Sequence, residues 1–166
     1  VLMHDRANEI AAIVSQHRER HGALLSILEA VQRTNEHNYL PKQELVMVAK
    51  ELGVPLSQVY SVVTFYAFFN LKAQGEHVIT VCRGTACHTR GSKPLLDKVL
   101  HMLGVELDED GMATTPDYRF TVHTVACFGQ CALAPVIAID GVIHSMVTEE
   151  KLTTMIEALS AQKEGA

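Results

Sequence analysis

The four cysteines of this 166-residue chain form two closely spaced pairs, and this spacing constrains the fold more than any other feature. Cys82 and Cys87 bound a C-x4-C motif, and Cys127 and Cys131 bound a C-x3-C motif that begins 40 positions later. Cysteines grouped in two pairs indicate a metal site rather than disulfides, because thiols in a reducing compartment normally stay reduced. Both motifs must then reach the same place in the fold.

Each cysteine pair follows a predicted strand. Residues 78–81 read as a short β-strand that ends at Cys82, and residues 120–125 alternate in the same way before Cys127. We therefore expect both pairs on loops at one edge of a single sheet. Gly84 and Gly129 lie inside these loops, where a chain that wraps a metal cluster needs unusual dihedral angles and free N–H groups for the sulfur atoms.

The spacing alone leaves three interpretations open. Four thiolates are the ligand set of a [2Fe–2S] cluster. They are also a ligand set of structural zinc, whose paired ligands are usually separated by two to four residues. The cysteines could also be unrelated core residues. A dithiol oxidoreductase is disfavoured, because the chain contains no C-x-x-C motif.

The chain changes character near its middle. Apolar residues at helical spacing predict four helices in residues 10–17, 24–31, 41–52 and 55–69, with Pro41 in the first turn of the third and Gly53 after its end. After a linker at residues 73–76, we expect a helix from an N-cap at Ser92 to Gly104 and a loop at residues 105–117. A hairpin turning at Asp140-Gly141 and a last helix capped by Thr148 should follow.

Composition excludes several classes of protein. The chain is 48% hydrophobic with a net charge of −5, so it can bury a core, and it shows no basic patch for nucleic acid. No apolar run reaches the roughly 18 residues of a membrane span, and the first residues contain no signal-peptide core. We expect a soluble, cytoplasmic protein.

The motifs together resemble the thioredoxin-like [2Fe–2S] ferredoxins. The resemblance rests on the order strand, C-x4-C, helix, strand, C-x3-C, Ala-Pro and Asp-Gly hairpin, and on residues 59–66 (VYSVVTFY). These residues are similar to the small iron–sulfur subunit of complex I and its counterparts in NAD-coupled hydrogenases, electron-bifurcating hydrogenases and formate dehydrogenases. The segment CRGTAC at residues 82–87 is more similar to the hydrogenase-type subunits, since complex I subunits often carry Thr-Thr-Pro before the second cysteine.

The resemblance implies a fold and a division of the chain. The fold class would be α/β, with a helical bundle at residues 1–73 followed by a thioredoxin-like domain (β-α-β-β-α) at residues 74–166. It also implies a cis peptide bond before Pro135, at the place where thioredoxin-like folds commonly carry one.

The resemblance also implies a function. Cys82, Cys87, Cys127 and Cys131 would all ligate one [2Fe–2S] cluster. The chain would exchange single electrons with the FMN of a partner subunit that binds NADH, and pass them to further iron–sulfur subunits of a hetero-oligomer. It would not be catalytic by itself, since FMN and NAD belong to the partner. The open alternatives are a zinc-stabilised interaction module without redox activity, a free-standing ferredoxin and a thiol oxidoreductase.

Several other residues invite a functional interpretation. We expect His88 and His123 to be surface or packing residues, because four cysteines already supply a full ligand set. Arg83 could moderate the negative charge of a thiolate-bound cluster or face water. The aromatic residues Phe65, Tyr66, Phe68 and Phe69 could form helix core or contact a partner subunit, where aromatic residues are enriched.

Overall fold

The computed structural model describes residues 2–19 and 21–161, which fall into two compact units that divide between Gln74 and Gly75. The sequence places this boundary one residue earlier. Val1, Arg20 and residues 162–166 lie outside the described residues. Among the described residues, no helix combines the length and the apolar composition that crossing a bilayer requires.

The first unit is helical. Its helices are α1 (Leu2–His17), α2 (Ala23–Thr34), α3 (Lys42–Leu52) and α4 (Leu56–Phe65). The apolar stripes of the four helices bury one core, in which Ile10, Ile27, Leu28, Val31, Leu45, Val48 and Val59 are completely shielded. Pro41 and Pro55 precede their helices as extended N-cap residues, so the third and fourth helices each begin one residue later than predicted. Gly53 ends α3 with a φ of 69°, as the sequence indicates.

Helix α4 is shorter than the sequence predicts. It ends at Phe65, because Tyr66 adopts an extended conformation and its N–H closes the last turn on the Val62 carbonyl. Beyond it, the buried Gln32 side chain fixes the chain by donating to the Phe68 carbonyl at 3.0 Å and accepting from the Asn70 N–H at 2.7 Å. The prediction that the helix continues to residue 69 is therefore wrong, since a buried amide competes for this backbone.

A charged network joins three of the helices. The Arg6 guanidinium donates to both carboxylate oxygens of the buried Glu44 at 2.9 Å and to the Val31 carbonyl at 2.9 Å. Hydrogen bonds from Arg6 to Glu44 are the main cause of a raised pKa for this guanidinium, which burial opposes. A bidentate Arg–carboxylate pair of this kind supplies hydrogen-bond donors to both oxygens of a carboxylate that would otherwise be costly to bury.

The second unit is built on a five-stranded sheet. Its strands are β1 (His77–Cys82), β2 (Met112–Thr114), β3 (Phe120–Val125), β4 (Ile137–Ile139) and β5 (Val142–His144), in the order β2-β3-β1-β4-β5. Strands β1 and β3 are parallel, and the other neighbours are antiparallel. Helices α5 (Thr85–Thr89), α6 (Ser92–Leu103) and α7 (Glu149–Ala161) complete the unit. The α/β class with helices before the sheet is confirmed.

Two short elements of this unit are absent from the sequence prediction. Strand β2 lies inside the stretch expected to be loop, where Gly111 turns the chain with a φ of 74° and lets three residues pair with β3. Helix α5 is a single turn that carries Cys87. The expected order β-α-β-β-α therefore lacks one edge strand and one helical turn.

The ends of the longer elements mostly follow the predicted signals. Asp140 and Gly141 have φ values of 50° and 79°, as a type I′ hairpin requires. The Thr148 hydroxyl accepts from the Lys151 N–H at 3.2 Å and caps α7. The Ala134–Pro135 peptide bond is cis. The expected N-cap at Ser92 is wrong, because Gly91 with a φ of 98° takes that position and Ser92 is the first helical residue.

Candidate metal centre

Parallel pairing brings the two cysteine motifs to the same edge of the sheet. In the β1–β3 register Cys82 lies opposite Val125, and the Arg83 N–H donates to the Val125 carbonyl at 2.8 Å. Cys127 follows two residues after Val125. The C-x4-C and C-x3-C loops therefore leave neighbouring strands at the same level, as the sequence predicts.

The four thiols lie together at this edge. The Cys127 and Cys131 sulfur atoms are 3.6 Å apart. The Cys82 thiol is within hydrogen-bonding reach of both Cys87 and Cys127. Two thiolates on one tetrahedral metal with bonds of about 2.3 Å stand about 3.8 Å apart, so the Cys127–Cys131 separation fits two ligands of a single metal atom. Among the side chains that the structure describes, in residues 5–19 and 21–161, no three from His, Cys, Asp or Glu form a group able to hold one metal ion.

The two pairs differ in environment. Cys82 and Cys87 are buried, with 1% and 2% of their surfaces exposed, and form a small apolar cluster with Ala134 and Val136. Cys127 and Cys131 are exposed to solvent. The site thus has one side in the protein interior and one side at the surface.

Backbone groups around the thiols suit a thiolate-bound centre. The Gly129 N–H donates to the Cys127 sulfur at 3.2 Å, in a turn where Gly129 has a φ of 76°. A Cβ added to Gly84 would stand 2.9 Å from the Ala126 carbonyl oxygen and 3.6 Å from the Cys127 sulfur. Only a residue without a side chain lets the two loops approach this closely.

The thiol pKa values reflect this arrangement. Burial raises the pKa of Cys82, but hydrogen bonds from the N–H groups of Gly84 and Phe128, together with the neighbouring thiols, outweigh burial and lower the pKa overall. Burial is the main cause of a raised pKa for Cys87, which a bond from the Val136 backbone partly offsets. A hydrogen bond with Cys127 is the main cause of a raised pKa for Cys131. The structure therefore favours the thiolate of Cys82 over those of Cys87 and Cys131.

The other residues singled out in the sequence lie at different places in the two units. His88 lies next to Cys87 in α5, and Arg83 lies between Cys82 and Gly84. His123 is part of β3, where burial lowers its pKa and the charge of Asp108 opposes the shift. The aromatic residues belong to the helical unit, where Phe69 is buried while Phe65, Tyr66 and Phe68 are exposed. The interpretation of these four residues as core therefore holds for Phe69 alone.

Sequence reasoning missed two groups that contact the thiols. The backbone N–H groups of Phe128 and Val136 interact with Cys82 and Cys87 respectively. Every residue except proline has a backbone N–H, so residue type does not show which N–H groups contact a thiol. The one available signal is position, since Phe128 lies inside the second motif and Val136 follows the Ala-Pro dipeptide.

Comparison with known proteins agrees with this chemistry. The family model described as "Thioredoxin-like [2Fe-2S] ferredoxin" matches residues 10–160. The "NADP-reducing hydrogenase subunit HndA" of Solidesulfovibrio fructosivorans is 36% identical over 148 residues, which are 89% of this chain and 83% of that protein. A subunit of the NADH-quinone oxidoreductase of Rickettsia conorii is 37% identical over 153 residues, which are 92% of this chain and 88% of that protein.

Solved structures show the same fold. The structure titled "Crystal structure of NAD+-reducing [NiFe]-hydrogenase in the air-oxidized state" contains a chain that superposes with a TM-score of 0.67 at 21% sequence identity. The match covers 84% of this chain and only 23% of that longer chain. Because the family pattern extends over both units and both cysteine pairs, and relatives above 30% identity cover most of the sequence, this chain belongs to the thioredoxin-like [2Fe–2S] ferredoxin family.

Proposed function

We propose that Cys82, Cys87, Cys127 and Cys131 together hold one [2Fe–2S] cluster. We further propose that the chain relays single electrons between the FMN of an NADH-binding partner subunit and further iron–sulfur centres of a hydrogenase or complex I type enzyme. The observation that carries the proposal is the meeting of four thiols at one sheet edge in a member of this family. A bound [2Fe–2S] cluster takes up and releases one electron at a time.

The residues around the thiols would control this chemistry. The N–H groups of Gly84, Phe128 and Gly129 point at sulfur and would draw charge from the thiolates, which makes electron uptake easier. The buried Cys82 and Cys87 exclude water from one side of the centre. The exposed Cys127 and Cys131 leave the other side open to a redox partner.

The two parts of the chain would have separate functions. Residues 74–166 would form the domain that holds the cluster, and residues 1–73 would form a helical domain that binds the flavin subunit. The segment from Pro55 to Asn70 is our candidate for the contact. It presents Phe65, Tyr66 and Phe68, which we call the aromatic surface, with Phe65 79% exposed. The bonds from Gln32 hold the end of this segment in place, so little conformational freedom would be lost on binding.

The contribution of the aromatic surface to the interface can be tested by measuring the affinity of the chain for the flavin subunit. Aromatic residues are enriched in the cores of interfaces, and the known relatives are subunits of multisubunit enzymes. The double variant F65S/F68S should weaken binding to the flavin subunit by about tenfold or more, measured by interferometry with the cluster-loaded chain. Val46, an exposed apolar residue of α3, supplies the control V46S. Equal losses in both variants would remove the aromatic surface from the interface.

Zinc is the competing occupant of the site. Its tetrahedral bonds to sulfur have a similar length, so the Cys127–Cys131 separation alone does not distinguish it, but one zinc ion needs four ligands at once, and no three of the described side chains form such a group. Chain purified without oxygen should contain iron and inorganic sulfide in equal amounts, show a red-brown absorbance that dithionite bleaches, and give a paramagnetic resonance signal when reduced. A colourless chain that contains zinc and no sulfide would instead identify a structural module.

The proposal also predicts what the isolated chain does not do. The sequence contains no Gly-x-Gly, the core of the dinucleotide fingerprint. The cluster-loaded chain with NADH and an artificial acceptor should therefore show no turnover, and NADH should reduce its cluster once the flavin subunit is added. Turnover of roughly 1–1000 per second without the partner would overturn the relay proposal.

A further inference from the structure

A small cavity lies beside the first two turns of α6, next to the proposed cluster site. Its volume is about 130 Å³, and it is lined by Arg83, His88, Ser92, Lys93, Leu96 and Asp97. A space of this size holds several water molecules or one small polyatomic ion, since a water molecule occupies about 30 Å³ in the liquid. It is too small for a whole nucleotide.

Ser92 supplies an unused hydrogen-bonding group at this cavity. The residue is only 2% exposed, and its hydroxyl makes no hydrogen bond with any described residue. Among the described side chains, only Arg119 has a polar atom (Nε) that is both fully buried and without a partner. The Ser92 oxygen also lacks a partner, so it is not fully buried and keeps some accessible surface. Because Ser92 lines the cavity, that surface opens into it. A buried hydroxyl without a protein partner indicates that something else fills the role.

The charges at the cavity favour an anion. The Arg83 guanidinium forms no ion pair or hydrogen bond with the described part of the chain, whereas Lys93 donates to Asp97 at 3.2 Å. The Lys93–Asp97 pair therefore cancels, and Arg83, an exposed residue next to the proposed ligand Cys82, has no carboxylate partner in the described part of the chain. The positive end of the α6 dipole adds to the charge of Arg83, since no side chain caps this helix.

We propose that the cavity binds a phosphate-sized oxyanion, held by the Ser92 hydroxyl, the Arg83 guanidinium and the start of α6. Guanidinium and hydroxyl groups are the usual partners of phosphate oxygens. The ion is either free phosphate or a phosphoryl group that protrudes from a larger molecule. In both cases only the phosphate group enters the cavity.

An anion at this position would act on the cluster. Arg83 is the residue after Cys82, so the bound charge would lie close to a proposed ligand. Negative charge there opposes the addition of an electron and would shift the reduction potential downward. This consequence rests on the proposed function, whereas the binding of the anion does not.

Calorimetry with inorganic phosphate tests the site directly. The cluster-loaded chain is titrated with sodium phosphate at constant ionic strength, with chloride as the background anion. We expect saturable binding to one site and a loss of about tenfold in affinity for S92A, which corresponds to one charge-assisted hydrogen bond. The variant K98Q removes a cation from the same helix outside the cavity lining and should bind phosphate like the parent chain.

Two further measurements separate the sources and the consequence. Adenosine monophosphate that binds as tightly as phosphate would identify a phosphoryl group on a larger molecule, and binding of phosphate alone would identify the free ion. The midpoint potential should shift downward in phosphate for the parent chain and less for S92A. The absence of saturable binding, or equal affinities for the parent chain and a folded S92A, would overturn the proposal whatever metal the chain carries.

Discussion

Cys82 and Cys87 lie almost entirely out of solvent, whereas Cys127 and Cys131 lie at the surface of the same unit. Packing holds the first pair, because its side chains belong to an apolar cluster at the end of β1. Backbone geometry holds the second pair, on a turn shaped by Gly129 and followed by a short 3₁₀ turn at Cys131–Leu133. Packing and backbone geometry therefore each position half of the proposed site, and substitutions can separate their contributions.

The largest effect should come from replacing the cysteines themselves. Serine at any of the four positions should weaken or abolish the cluster, because its hydroxyl is a poorer ligand for iron–sulfur chemistry. In the metal-free chain, serine substitutions in the two pairs should have different effects on the free energy of unfolding. C82S and C87S place a hydroxyl in an apolar cluster and should lower the free energy of unfolding by about 1–3 kcal/mol, whereas C127S and C131S should change it by less than about 0.5 kcal/mol.

Absorbance after anaerobic reconstitution measures the cluster, and urea unfolding of the metal-free chain measures stability. H88A serves as the control and should retain the cluster spectrum. Equal destabilisation by C82S and C127S would break the comparison between the pairs. A histidine variant that loses the spectrum, beside a cysteine variant that keeps it, would refute the ligand assignment.

The next largest effect concerns the approach of the two loops. G84A places a Cβ 2.9 Å from the Ala126 carbonyl oxygen, which is backbone and cannot rotate away. We expect a loss of about 1–3 kcal/mol and poor cluster incorporation. G129A meets open space and costs only the left-handed conformation, about 1–2 kcal/mol. Iron content per chain after reconstitution compares the two variants, and higher incorporation by G84A than by G129A would contradict the close approach.

A smaller, pH-dependent effect distinguishes the strands that lead to the two pairs. His123 on β3, the strand before the exposed pair, lies opposite Thr80 on β1. At this position of the paired strands the β3 side chain can gain or lose a proton near neutral pH, and the β1 side chain cannot. Burial lowers the pKa of His123 below its usual 6.5, against the charge of Asp108. Well above 6.5 the ring is neutral in both the folded and the unfolded state and contributes nothing to the pH dependence of stability. Below 6.5 the unfolded chain binds the proton first, so stability falls as the pH drops toward the folded-state pKa.

Unfolding in urea at several pH values between about 7.5 and 5.5 measures this loss. H123Q removes the titrating group, keeps a polar side chain of similar reach, and should lose less stability over that interval. Identical pH profiles for H123Q and the parent chain would show that the strand before the exposed pair is no more sensitive to acid than β1.

The smallest effect should come from a contact that joins the two loops. The Arg90 guanidinium donates to the Ala132 carbonyl at 3.4 Å, between the residue after α5 and the residue after Cys131. The bond is long and exposed, so R90A should change the free energy of unfolding by less than about 0.5 kcal/mol. A larger loss, seen in the same urea experiment, would mean that the exposed pair depends on the buried side more than its environment indicates.

The parts of the fold that the sequence predicts are those with local causes. Asp140-Gly141 specifies its own turn, and Thr148 caps its own helix. Strand β2 has no such cause, because three residues become a strand only when β3 lies beside them. The end of α4 depends on Gln32, more than thirty positions earlier, and could not be read from the helix itself.

The candidate site shows the same limit. The cysteine spacing identifies the four thiols, and the strand pattern predicts that they share an edge. The roles of the glycines are harder to foresee, since the tight contact of Gly84 is with Ala126, on the other loop. The exposure of Phe65 and the burial of Phe69 could not be predicted either. Both residues belong to one aromatic segment, and their environments differ because α4 ends at Phe65 and Phe69 lies beyond that end.

The parallel register of β1 and β3 has a consequence for synthesis of the chain. It joins His77 to Phe120, which are 43 positions apart. At about 5–20 residues per second, a ribosome completes β3 roughly 2 to 9 seconds after β1. During that interval Cys82 and Cys87 exist without the strand that aligns their loop. Iron and sulfide delivered to the nascent chain would meet only half of the proposed ligands, so insertion of the proposed cluster would have to wait until the second motif has left the ribosome.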